Sequence, residues 1–203
     1  IDEATQATEP SCLIPLLNGC EQLILVGDQN QLPPTVLSES TSNKGLSVSL
    51  FTRLIYAGIK PFLLTRQYRM HPKIAEFPNN QFYSGKLVSM TDHFSRPLPK
   101  GFDWPNSKVP VAFLDLNAEN FEKRIKSDFS VGSTSFSLSN LREAREVISI
   151  LSQFLAKNSP ESIGVISPYS GQVRLIQDLF KEADISERVE VRSVDGFQGR
   201  EKN

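Results

Sequence analysis

An excess of charge, a long apolar run and a cluster of metal ligands are all missing from this sequence. Its 22 Lys and Arg nearly balance 23 Asp and Glu, for a net charge of -1 over 203 residues. No overall basicity therefore advertises a polyanionic partner, and a nucleic-acid groove would have to be basic locally. The longest uncharged apolar stretches, Leu13 to Leu17 and Gln22 to Val26, fall far below the ~20 residues that span a bilayer, so no membrane segment is expected. The first residues lack the basic and then apolar layout of a signal peptide. Cysteine is scarce as well: Cys12 and Cys20 are the only two. They form no close-spaced motif, which points to a reducing compartment, cytoplasmic or nuclear, and to small core residues. His71 and His93 stand apart from any cysteine or histidine cluster, which argues against zinc. Internal repeats and low-complexity tracts are absent too.

What is present is an ordinary α/β composition, 39% hydrophobic, in which strand and helix signals alternate. Pro10 suits the first position of a helix over Ser11 to Leu17, closed by Gly19. Gln22 to Val26 reads as a buried strand. Leu46, Leu50, Leu54 and Ile55 fall on one face of a helix over Leu46 to Ala57, stopped by Gly58. Phe62 to Leu64 reads as a short strand and Pro72 to Phe82 as a helix with an awkward Pro78. Ser89 to Pro110 reads as an irregular surface excursion. Val109 to Leu116 predicts another strand. Asn117 to Ser137 predicts a loose, solvated loop whose Lys123, Arg124 and Lys126 also suit phosphate contact. Asn140 with Glu143 resembles a capping box, and Leu141, Ala144, Val147, Ile148, Leu151 and Leu155 make an amphipathic helix behind it. Strand Ile163 to Ile166, helix Gly171 to Glu182 and strand Val189 to Val194 complete a series that implies right-handed crossovers and a parallel sheet.

Four polar islands end these apolar runs, where parallel sheets place their chemistry. They are Ile-Asp-Glu-Ala-Thr at 1 to 5, Gly-Asp-Gln-Asn-Gln-Leu-Pro-Pro at 27 to 34, Gln-Tyr-Arg-Met-His-Pro at 67 to 72, and Val-Asp-Gly-Phe-Gln-Gly-Arg-Glu at 194 to 201. Asp2 suits the hydration shell of Mg²⁺, and Glu3 suits a base that orients the attacking water, although both residue types are also common in strand-terminal turns. Gln31 suits a γ-phosphate sensor or a turn cap. Arg69 suits transferring phosphate oxygens or a surface ion pair. Tyr68 suits stacking on a base or a place in the core. Gly196 and Gly199 permit unusual backbone angles, and Glu201 suits a ribose hydroxyl. Ser167, Tyr169 and Ser193, at strand-to-helix turns, suit phosphate contact or plain N-capping.

In this order and spelling the islands resemble the second to fifth motifs of superfamily 1 helicases, and within them the up-frameshift and senataxin group. The resemblance runs from Ile1 to Asn203. It implies an α/β fold of two RecA-like parallel-sheet domains, with 1–66 the C-terminal half of the first and 67–203 the second, truncated before its last motif. It implies ATP and Mg²⁺ as cofactors, single-stranded RNA or DNA as substrate, 5′ to 3′ movement and mRNA-surveillance proteins among the partners. Asp2 and Glu3 match the magnesium and water-activating carboxylates, Gln31 the γ-phosphate sensor and Arg69 the arginine directed at the γ-phosphate. Tyr68 matches the residue that packs on adenine and Glu201 the one by the ribose, with Gly199 also at the nucleotide site. Pro34, Ser167, Tyr169 and Ser193 fall where the family touches the nucleic-acid backbone.

The departures are as specific. No Gly-x-x-x-x-Gly-Lys-Ser/Thr loop occurs, the one Gly-Lys pair being Gly85-Lys86 followed by Leu87. No arginine motif follows Glu201. A fragment of a longer helicase is therefore expected, with little or no ATPase activity of its own. A DNA helicase of the same group and an ATP-inactive nucleic-acid-binding module are the alternative readings. Intact Glu3, Gln31 and Arg69 argue against the second.

Overall fold

The structure is a computed structural model that describes residues 1–116, 122–126, 136–158, 162–185 and 189–202. It divides into two compact units, Ile1–Arg66 with Asn79–Leu87, and Gln67–Pro78 with Val88–Asn203.

In the first unit, α1 (Glu9–Leu16) starts with a proline in its first turn, as Pro10 foretold. The Ile1 nitrogen donates to Ile24 O (2.8 Å). Val26 N returns to Ile1 O (2.9 Å), and Ala4 N reaches Val26 O (2.8 Å). This is the hydrogen-bond pattern of a short parallel rung. It holds the opening acidic turn beside Gly27, and residues 22–26 gain no strand beyond it. A ladder needs a neighbour along its whole length, and Ile24 is 73% exposed. The strands expected over 62–64 and 109–116 are likewise not formed. Phe62, 100% exposed, has no packing partner of the kind a buried parallel strand requires.

The three-residue α2 (Glu39–Thr41) runs into a wide turn, Ser42–Leu46, that breaks at Gly45. Helix α3 (Leu50–Tyr56) then starts later than its apolar pattern suggests. Ser49 is the reason: buried, it caps the helix by accepting from Thr52 N (3.1 Å). Ala4, Thr5, Cys12, Ser49 and Leu50 are the buried residues that centre this unit. Cys12 is thus a core residue as expected, but Cys20 is exposed, because it lies past the end of α1.

The second unit begins inside β1 (Arg66–Gln67), which pairs with β2 (Val88–Ser89). Helix α4 (Pro72–Phe82), which belongs to this unit as far as Pro78 and to the first from Asn79 on, begins at buried His71, whose Nδ1 accepts from Lys73 N (3.0 Å). Within the stretch expected as a loop, 117–137, the described residues include strand. β3 (Glu122–Lys126) pairs antiparallel with β4 (Phe136–Asn140), from Glu122↔Asn140 to Lys126↔Phe136. Residues 117–121 and 127–135 lie outside the described residues.

Asn140 ends β4 and caps α5 (Leu141–Leu155), its Oδ1 accepting from Arg142 N (3.0 Å) and Glu143 N (3.2 Å). Glu143 returns to the Asn140 side-chain amide (3.1 Å) rather than to its backbone N–H. That N–H is already given to Gln172 Oε1 (2.7 Å). Strand β5 (Gly164–Ser167), helix α6 (Ser170–Glu182) and parallel strand β6 (Glu190–Ser193) follow. The short α7 (Val194–Phe197) comes last. Ala144 and Leu151 of α5, Ile176 and Phe180 of α6, and Val189 and Val191 form the core. The described residues thus make a mixed α/β arrangement whose one regular parallel pair is β5 and β6. No helix among them is long and apolar enough to cross a membrane.

Candidate functional site

Both carboxylates of the opening turn of the first unit are exposed. Asp2 Oδ1 accepts from Glu3 N (2.9 Å), and Glu3 adopts φ 47°, a left-handed conformation that costs a residue with a Cβ. Gln6 holds that conformation from two sides. Its backbone N–H donates to Glu3 O (2.9 Å), and its side-chain amide donates to Glu3 Oε2 (2.8 Å). A strained backbone that aims a carboxylate outward is the kind of outlier from which function is inferred. Among the described residues no three acidic, histidine or cysteine side chains gather as a metal cage. One exposed carboxylate suits magnesium, which keeps most of its ligands as water and phosphate oxygens.

In the same unit the 28–31 turn is knotted around Asp28. Asp28 Oδ1 accepts from Asn30 N (2.9 Å) and Oδ2 from the Gln31 side-chain amide (2.9 Å). The Tyr83 hydroxyl donates to the same Oδ2 (2.5 Å). Burial, reinforced by the Asp28 carboxylate, pushes the Tyr83 hydroxyl up to about 12. Gln31 is exposed on this turn. Pro34, expected against nucleic acid, is buried.

The arginine island in the second unit is organised by Gln67. Its Oε1 accepts from Arg69 N (3.0 Å) and Met70 N (2.8 Å), while its amide donates to Met70 O (2.8 Å) and Ser89 Oγ (2.7 Å). Arg96 straps the turn from outside by donating to Arg69 O (2.8 Å). Tyr68, 62% exposed, and Arg69 are thereby presented on a fixed turn. Arg69 Nε pairs with Glu201 Oε2. Gly199, at φ 72°, turns the chain toward Glu201. The residues on either side of Glu201 are held by one carboxylate, Glu190 accepting from Arg200 (2.6 Å) and Lys202 (2.8 Å). These cations, Lys202 first, hold the Glu190 carboxyl below the usual range. Gln67, Tyr68, Arg69, Met70, Arg96, Glu201 and Lys202 line a groove of about 470 Å³. Three cations line it, Lys202 paired with Glu190 and Arg69 with Glu201; with an exposed aromatic ring beside them they suit a nucleotide polyphosphate that exchanges for these pairs.

A second cluster of this unit lies at the carboxyl ends of β5 and β6. Ser167 and Ser193 are register partners there. Ser167 Oγ accepts from Tyr169 N (3.2 Å), and Ser193 Oγ accepts from Gly196 N (3.2 Å). Each hydroxyl caps a turn and keeps its own proton, the kind of donor a phosphate oxygen takes; Ser193 is partly exposed, whereas Ser167 is buried. Tyr169, 44% exposed, precedes α6 without capping it by its side chain. Lys123 and Arg124 are exposed on β3.

The structure therefore brings Tyr68, Arg69 and Glu201 together, pairs Ser167 with Ser193, and places Asp2 beside Glu3 and Gln31 on Asp28. Tyr83, Arg96 and Glu190 carry no local motif, and contacts across 10 or more positions reveal them; Gln6 acts on Glu3 from only three residues away. Gln67 did have a signal, since it opens the arginine island.

A family model described as "AAA domain" matches residues 46–203, and a second with the same description matches residues 1–39. "Regulator of nonsense transcripts 1" of Dictyostelium discoideum is 43% identical over 209 residues, which cover 100% of this chain and 15% of that protein. "ATP-dependent helicase upf1" of Schizosaccharomyces pombe is 42% identical over 212 residues, 100% of this chain and 22% of that protein. "ATP-dependent helicase NAM7" of Saccharomyces cerevisiae is 41% identical over 210 residues, 100% and 21%. The chain thus spans about a fifth of the length of these relatives.

Proposed function

Because the chain belongs to the AAA domain family, we propose that it supplies ATP-handling and strand-contacting parts of a longer helicase that moves 5′ to 3′ on single-stranded RNA. In this reading its two units belong to two RecA-like domains, the break falling near Arg66. The relatives named for nonsense transcripts favour RNA over DNA and make mRNA-surveillance proteins, in cytoplasm or nucleus, the natural partners. The observation that carries the reading is the groove in which Tyr68, Arg69 and Glu201 meet, connected by residues 193–201 to the paired strand ends at Ser167 and Ser193.

Each side chain has a task in that scheme. Tyr68 packs on the base and Glu201 accepts from the ribose, with Gly199 shaping the turn that carries it. Arg69 answers charge developing on the phosphoryl group, a contribution of ~10³ to 10⁵ in rate for an arginine finger. Glu3 accepts the proton of the attacking water, and Gln31 senses the γ-phosphate. Bound magnesium supplies charge neutralisation on the phosphates, and Asp2 is the residue that would hold its water shell. Ser167, Tyr169 and Ser193 donate to backbone phosphates without reading sequence.

The test is ATP hydrolysis by the full-length gene product, alone and with single-stranded RNA or DNA. RNA should stimulate turnover, and Glu3→Gln should reduce it by ~10² to 10⁴ while nucleotide binding persists. Stimulation by neither nucleic acid would refute the translocase reading, and stimulation by DNA alone would move the substrate to DNA. RNA affinity should fall with salt at a log-log slope of about -0.7 for each phosphate neutralised.

A further inference from the structure

The turn that carries Gln31 is fastened at two points to the segment that leaves α4, within the same unit. Asn30 donates from its side-chain amide to Phe82 O (3.0 Å). The Tyr83 hydroxyl meets Asp28 Oδ2 at 2.5 Å, and that oxygen also receives the Gln31 amide. The segment bearing Tyr83 is itself locked, since Asn79 exchanges two hydrogen bonds with the Leu87 backbone (2.8 and 2.9 Å) and receives Gly85 N on its carbonyl (3.0 Å). A glutamine on an exposed turn has three rotatable side-chain bonds and two ends of opposite hydrogen-bonding character. A carboxylate oxygen accepts only from the nitrogen end, so Asp28 decides which end points where. The Gln31 amide also reaches the Tyr83 hydroxyl, so the nitrogen end is held by both braces and Oε1 is the end left to accept from a water or ligand hydrogen.

We propose that Tyr83 and Asp28 are positioning residues for nucleotide turnover: the Tyr83 hydroxyl pins the Asp28 carboxylate, and the carboxylate pins the Gln31 amide with one defined face outward. The inference rests on the reading of Gln31 as a nucleotide sensor. Asp28 accepts three hydrogen bonds across the two oxygens, so its rotation about the side chain is blocked from both sides. The phenol also stays protonated through the physiological range, because burial and the adjacent carboxylate both oppose its ionisation. A phenylalanine would fill the same space and leave the carboxylate free to swing toward solvent, taking Gln31 with it.

The experiment is a double-mutant cycle in the full-length protein, measuring kcat and KM for ATP with Tyr83→Phe, Asp28→Asn and Gln31→Ala, singly and in pairs. Tyr83→Phe should lower kcat about tenfold, the equivalent of one hydrogen bond of catalytic positioning, with KM changed less than about twofold. On the Gln31→Ala background, Tyr83→Phe and Asp28→Asn should each cost nothing further, because they act through a side chain already gone. A Tyr83→Phe enzyme as fast as its parent, or a loss of the same size with and without Gln31, would overturn the brace while leaving the helicase reading intact. Asp28→Asn keeps the test decisive should Tyr83→Phe fold poorly, since it alters one charge and no volume. A parent protein without ATPase activity would overturn both readings together.

Discussion

Gln172 is the residue on which the second unit should be most sensitive to a single truncation. It lies in the first turn of α6, 6% exposed, and exchanges two hydrogen bonds with the backbone of Asn140, itself 5% exposed. Asn140 N donates to Gln172 Oε1 (2.7 Å), and the Gln172 amide donates to Asn140 O (3.1 Å). The glutamine thus substitutes for a missing strand at the corner where β4 becomes α5. Gln172→Ala leaves a buried N–H and a buried C=O unpaired, at about 1–3 kcal/mol each. Water entering the vacated space recovers part of this, and alanine's better helix propensity returns a few tenths. The net loss expected is about 2–4 kcal/mol.

Trp104, the single tryptophan, is a ready reporter for that loss. Its ring lies 6.3 Å from that of Phe154 on α5 and 5.1 Å from that of Phe102. Urea unfolding followed by its fluorescence should shift to a lower midpoint by about 1–2 M, taking a slope of about 2 kcal/mol per M. Gln172→Glu should cost a similar amount at neutral pH, because a carboxylate would face Asn140 O, and should recover as the pH falls and the new side chain protonates. A Gln172→Ala midpoint indistinguishable from the parent would refute the reasoning, since it would mean the two bonds are replaced by water at no cost.

Two further tests concern neighbouring and distant features. A Cβ at Gly171 would lie 2.5 Å from Ile125 Cδ1 and 2.8 Å from Leu138 O, the second a backbone atom that cannot step aside, so Gly171→Ala should cost about 1–3 kcal/mol in the same urea assay. Tyr83, with its hydroxyl raised to about 12, ionises in the unfolded chain first, so its contribution to stability is complete below about pH 10 and is lost as the pH climbs toward 12. Screening at this half-exposed site limits that contribution to about 1 kcal/mol. Tyrosinate absorbance should show a step near pH 12 that vanishes in Tyr83→Phe and moves down in Asp28→Asn.

Local patterns carried much of the second unit. The apolar spacing from Ala144 to Leu155 and the Asn140 cap both depend on residues within four positions of each other, and both appear in the structure. Strand β5, helix α6 and strand β6 were legible for the same reason, each being bounded by turn residues. Residues 22–26, 62–64 and 109–116 read equally well as strands and form none, because a ladder depends on a partner that no window of sequence contains. Ser49 overrode the helical stripe that begins at Leu46, a case of one cap outweighing periodicity. Around the candidate sites, the outward-facing residues were readable from the ends of apolar runs, whereas their supports were not. Tyr83 reaches Asp28 across 55 positions and Arg96 reaches Arg69 across 27, distances over which no spacing rule operates.

Phe197 sits directly over the start of β5: a Cβ on Gly164 would come within 2.4 Å of its ring. The ring is the seat of the short helix between Ser193 and the turn that delivers Glu201. Positions 164 and 197 should therefore drift together over evolutionary time, a larger residue at one being admitted only alongside a smaller one at the other. Lineages that break this pairing should be those in which the Glu201 turn has changed shape.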